Sequence, residues 1–185
     1  MPSEQRRSEI EHQVNAIISN NNLYVPGFDL IQYLTKKEKF QIVLQQLPHK
    51  ITGVLLVDDT KEILNTNTNR LISINSSLKD EENYSQRMRF ICAHEYSHFI
   101  LHKRDTDTQY AHRDTDHRDE PEEKEADFFA RCLLMPADMV RKILNLDFIR
   151  KLEWNEQVSF IARTFNVTFN KATQRMVEDL KIETS

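Results

Sequence analysis

Apolar positions along the chain fall into two spacings, and the switch between them marks out the elements. Residues 7–20 carry Ile10, Val14, Ile17 and Ile18 on one side of a helix, and a second short helix is expected after Pro26, to about Lys36. The pattern then changes to short apolar runs bounded by polar residues. FQIVLQQL, TGVLLVD, KEILN and RLISIN read as strands, with Asp58, Asp59 and Thr60 as a turn between two of them. Helical spacing returns over 77–102, where Ser77 is a candidate N-cap, Asp80, Glu81 and Glu82 crowd the first turn, and no Pro or Gly interrupts the run. PEEKEADFFARCLLMP predicts another helix, with Pro121 at its first position, Asp119 or Glu120 as its cap and Pro136 at its end. The expected fold is α+β: a small antiparallel sheet packed on two long helices, with a helical C-terminal tail.

Inside the 77–102 helix stands His94-Glu95-Tyr96-Ser97-His98, an H-E-x-x-H pattern. Positions i and i+4 share a helix face, so both imidazoles point at one ion and the glutamate reaches beside it, the arrangement of a zinc hydrolase. Phe90, Ile91, Cys92, Ala93, Tyr96, Phe99, Ile100 and Leu101 surround the motif with hydrocarbon, so the helix is expected to be buried. A buried ionised glutamate needs a partner, and a divalent metal with its water supplies one.

A catalytic zinc site takes three protein ligands, so a third must come from elsewhere. His102 is a poor candidate, because two turns along a straight helix it lies about 12 Å from His94. No Gly bends the chain back towards the ion, as the longer histidine motif requires. On the 121–136 helix, Glu122 and Glu125 are three apart and share a face with Phe129 and Leu133, so either can point inward.

Several elements agree in order and spacing: Ile72-Ser73-Ile74-Asn75, then Arg87-Met88-Arg89-Phe90 leading into AHEYSHFILH, then EADFFARCLLMP. Over residues 25–140 the chain resembles the ImmA/IrrE family of bacterial metallopeptidases. That resemblance implies that the motif histidines and the glutamate before Ala-Asp hold the metal, here His94, His98 and Glu125, and that Glu95 is the catalytic base. It also implies cleavage of a transcriptional repressor, a helix-turn-helix protein encoded beside the peptidase on a phage or other mobile element. The chain departs from the pattern in the long charged segment KRDTDTQYAHRDTDHRDE, which contains R-D-T-D twice with His112 and His117 nearby. Such charge clustering reads as a solvated connector rather than an active-site rim.

Composition fits a single compact unit, with a zinc metallopeptidase domain over 1–150 and the tail over 151–185. At 185 residues the chain can bury a substantial core, and a net charge of -4 gives no global reason to bind nucleic acid or anionic membrane. The sequence shows no 18-residue apolar run, and MPSEQRRSEIEHQ lacks the apolar stretch of a signal peptide, so a cytoplasmic location is expected. Cys92 and Cys132 then read as buried free thiols.

The tail supports a second reading. Residues 161–180 have helix-turn-helix spacing, with Phe165-Asn166-Val167 as the turn and Thr168 as the next cap, and Asn170, Lys171, Gln174 and Arg175 would form a recognition face. Glu178 and Asp179 on that same helix weigh against DNA and favour packing or substrate docking. The expected chemistry is therefore zinc-assisted peptide hydrolysis with Glu95 as general base. Tyr96, Tyr110, His112 and His117 are equal candidates for stabilising the oxyanion. The competing class is a non-catalytic regulator that keeps its metal for folding and acts through the tail; the intact Glu95 argues against it.

Overall fold

A computed structural model describes residues 1–58, 68–102 and 120–182 in full and 108–114 as backbone. The expected KEILN strand and His117 lie outside the described residues, as do the side chains of Tyr110 and His112. The chain divides into two compact units: Met1–Pro2 with Asp29–Asp127, and Ser3–Phe28 with Phe128–Ser185.

The first unit holds the sheet. Strands β1 (Gln41–Gln45), β2 (Ile51–Asp58), β3 (Arg70–Asn75) and β4 (Thr108–Asp114) lie in the order β1-β3-β2-β4. β2 is antiparallel to β3 and β4, but β1 runs parallel to β3, so the sheet is mixed rather than wholly antiparallel. β3 lies between β1 and β2, so their connection crosses the end of β3 instead of closing a hairpin; Asn75 there holds it, donating from Nδ2 to the carbonyls of Leu47, Pro48 and Ile51 at 3.2, 3.3 and 2.8 Å. β4 occupies part of the segment read as a solvated connector. Its Thr-Gln-Tyr-Ala core suits a strand, and the flanking charges masked that signal.

The motif helix begins later than its sequence suggests. Asn75 Oδ1 accepts from Ser77 N and closes a 3-10 turn over Ser76–Asp80, so Ser77 is not an N-cap. Glu81 is extended and Asn83 is left-handed at φ 60, a conformation Asn tolerates, before α3 (Tyr84–Leu101) starts. α3 packs on β2 and β3, and all of residues 89–98 are buried. Leu55, Ile72 and Ile74 face this core, joined by Leu30 of α2 (Leu30–Gln32) and Leu34 of the π-helical turn that extends it, Tyr33–Lys37. Tyr33 donates to Glu38 at 2.6 Å and meets the Tyr96 hydroxyl at 3.1 Å.

The second unit is helical. It holds α1 (Glu4–Asn20), with Ile10, Val14 and Ile18 buried, and the later part of α4 (Pro121–Leu134). The short helices α5 (Ala137–Leu144), α6 (Asp147–Arg150), α7 (Trp154–Phe165) and α8 (Phe169–Thr173) follow, with a π-helical turn over Gln174–Asp179. α7 ends on left-handed Asn166, and Thr168 caps α8 by accepting from Lys171 N. Among the described residues no helix is long and apolar enough to cross a membrane.

Arg175 is not on a recognition face: it is 1% exposed. Its Nε donates to the Met135 carbonyl at 3.0 Å, and its Nη1 lies 3.3 Å from Glu11 Oε1 and 3.5 Å from Asp179 Oδ2. Arg131 grips the same Asp179 with two hydrogen bonds of 2.7 and 3.0 Å. Glu178 and Asp179 therefore differ. Asp179 is buried and neutralised by two arginines, while Glu178 faces solvent. Removing the charge from Asp179 takes the shared carboxylate away from two buried guanidiniums, and breaking a buried pair of this kind costs about 3–5 kcal/mol. Asp179→Asn is expected to lower the unfolding free energy in urea by about 3 kcal/mol; a loss below about 0.5 kcal/mol, the scale of an ordinary surface change, would contradict this reading.

Candidate metal centre

Helix periodicity brings His94 and His98 together, one turn apart on α3, with their Nε2 atoms 3.2 Å from each other. The third partner comes from the first turn of α4. Glu123 places Oε2 3.1 Å from His94 Nε2 and Oε1 3.1 Å from His98 Nε2. Among the described residues His94, His98 and Glu123 form a buried group whose ligand atoms lie within 4.8 Å of one another. Zinc bound at about 2.0–2.1 Å in a tetrahedron spaces its ligand atoms about 3.3 Å apart, close to the 3.2 Å between the two nitrogens that the Glu123 carboxylate spans.

Electrostatics agrees with that geometry. Burial alone would raise the Glu123 carboxyl pKa, but hydrogen bonds and charge from His94 and His98 outweigh it and hold the group at about 2. Burial also lowers the pKa of His98, against the pull of Glu123, which favours the neutral imidazole that a metal requires. One turn beyond Glu123, Asp127 Oδ1 lies 3.0 Å from His94 Nδ1, the atom pointing away from the cluster. A carboxylate only accepts, so Nδ1 carries a proton, and Nε2 is the atom His94 offers to an ion.

The third-ligand assignment made from sequence needs correcting. Glu125 does not meet the histidine pair; its Oε2 lies 3.1 Å from His102 Nε2, and Glu122 is exposed. Glu125 leaves α4 on a different side from Glu123, Ala126 and Asp127, which share one stripe at i, i+3 and i+4. The signal that would have found Glu123 was its spacing to Asp127. The two carboxylates are four residues apart on α4, as the two histidines are on α3.

Glu95 is fully buried on α3, between the two histidines in sequence. Tyr96, one of the oxyanion candidates, is 1% exposed and turns its hydroxyl to Tyr33. Cys92 and Cys132 are both buried free thiols, and burial raises the pKa of each, that of Cys132 to about 12.

Residues 37–177 match the family described as the IrrE N-terminal-like domain, peptidase family M78. A comparison with curated proteins finds no match to this chain. The family match extends over both histidines, Glu95 and Glu123, and covers well over half of the sequence. On that match this chain belongs to the IrrE N-terminal-like family and is a metallopeptidase.

Proposed function

We propose that this protein is a zinc-dependent endopeptidase of the cytoplasm that makes limited cuts in a transcriptional repressor, a helix-turn-helix protein encoded on a phage or other mobile element. The observation that carries the catalytic part is the convergence of His94, His98 and Glu123 beside a buried Glu95. Zinc held by those three residues supplies Lewis acidity, lowering the pKa of a water and polarising the scissile carbonyl. Glu95 takes a proton from the attacking water at a carboxylate oxygen and delivers it to the leaving amine nitrogen. Glu123 neutralises charge at the centre, and Asp127 holds the His94 ring in the required tautomer.

Gly53 on β2 makes room for the base. A Cβ at this position would stand 2.7 Å from Glu95 Oε1 and 2.5 Å from Ile91 Cγ2, both too close for real contacts. The strand therefore approaches the Glu95 carboxylate with bare backbone, and any side chain here displaces the base.

Narrow specificity suits an enzyme that works among other proteins, and selectivity of that kind comes from docking as well as from the residues flanking the cut. The tail offers a surface for it. Phe169 is 46% and Val177 39% exposed, with Asn170 and Glu178 also at the surface. An apolar, non-basic face of this kind favours a protein partner over DNA, which needs clustered Lys and Arg.

The purified protein is expected to carry about one zinc per chain. Elemental analysis after chelator dialysis should find most of it gone in Glu123→Ala; full retention there would place the third ligand elsewhere. Glu95→Gln is nearly isosteric and should keep its zinc while losing about a thousandfold in cleavage of the genetically linked repressor. Parental cleavage by that variant would remove the general-base role, and rapid digestion of casein by the parent would remove the narrow specificity. Gly53→Ala should also keep its zinc yet lose at least about tenfold in cleavage rate, because the base is pushed out of line. Parental activity in Gly53→Ala would show that the Glu95 carboxylate does not need this space.

A further inference from the structure

At Nδ1, His94 meets the Asp127 carboxylate directly, 3.0 Å away. His98 Nδ1 instead lies 3.0 Å from Nδ1 of His102, one turn further along α3, and His102 Nε2 lies 3.1 Å from Glu125 Oε2. Proton positions along this row follow from the carboxylate at its end. Glu125 only accepts, so the His102 proton sits on Nε2. In that tautomer His102 accepts at Nδ1, and the proton between the two rings belongs to His98 Nδ1. That makes Nε2 the atom His98 offers to an ion, and it faces His94 Nε2 and Glu123 Oε1 at 3.2 and 3.1 Å.

We infer that His102 and Glu125 are positioning residues, forming a relay that fixes the tautomer and ring plane of His98 as a metal ligand. This rests on the metal-centre reading given above and extends it to two residues that touch no ion. Asp127 does for His94 in one step what Glu125 does for His98 in two. Each of the two ligand rings thus ends on a carboxylate of α4, and all three acids of that helix nearest the centre have separate tasks: Glu123 binds, Asp127 and Glu125 orient. Partners of this kind usually contribute 10–100-fold to metal affinity. The relay also explains why a histidine too far along the helix to be a ligand still stands in line with the motif.

The relay makes a prediction that a general structural role does not. Because Glu125 reaches His98 through His102 in this relay, the two residues should not contribute independently to zinc affinity. Zinc affinity of the full chain is measured by competition with a chromophoric chelator. His102→Ala and Glu125→Ala are each expected to weaken zinc binding about 10–100-fold, and the double variant no more than His102→Ala alone. His102→Asn places its side-chain oxygen where Nδ1 stood, so it should bind zinc more tightly than His102→Ala, and adding Glu125→Ala to it should change nothing further. Losses that multiply in the double variant would show Glu125 acting by itself, as a ligand or a structural contact, and would overturn the relay. Single variants with parental affinity would overturn it while leaving the metal centre standing. A parent that binds no zinc would instead remove the metal centre, and the relay with it.

Discussion

Two imidazole nitrogens and a carboxylate meet inside the first unit at separations of 3.1–3.2 Å, and this convergence is the constraint on which the site depends. Electron-rich atoms do not gather away from water without positive charge between them. Protons shared with the histidines meet that demand in the chain alone, which is why Glu123 is held at about 2 despite burial. A divalent cation meets it better, since it takes one lone pair from each atom at once.

Much of the surrounding structure serves to hold those three atoms still. α3 is buried through residues 89–98, so neither histidine can swing towards solvent, and the helix is seated by β2 and β3 beneath it. Asn75 ends β3, clamps the β1–β2 connection and opens the 3-10 turn that leads to α3, linking sheet register to the place where the motif helix starts. Gly53 lets β2 come close to Glu95. In the second unit the arginine pair on Asp179 ties the last turn to α4 and, through Glu11, to α1.

The H-E-x-x-H spacing was legible because helix geometry alone dictates what i and i+4 side chains share, and burial followed from the apolar residues around it. The α4 boundaries were legible for the same reason, from Pro121 and Pro136. What periodicity could not settle was which of three neighbouring glutamates turns inward, since Glu122, Glu123 and Glu125 differ only in angle about the α4 axis, and the apolar residues chosen to define its inner face were remote from the ion. Arg175 was misplaced because a polar residue on an amphipathic helix reads as exposed; only the partners Asp179, Glu11 and the Met135 carbonyl, distant in sequence or hidden in the backbone, make its burial tolerable. Ser77 failed as a cap because Asn75, two residues earlier, reached its amide first.

Zinc-edge anomalous diffraction from crystals of the metal-loaded protein tests the assignment most directly, because it locates the ion independently of any activity. The account predicts a single peak bounded by His94 Nε2, His98 Nε2 and the Glu123 carboxylate, with His102 and Glu125 outside coordination distance. A peak ligated by Glu125 or His102 in place of Glu123 would contradict it.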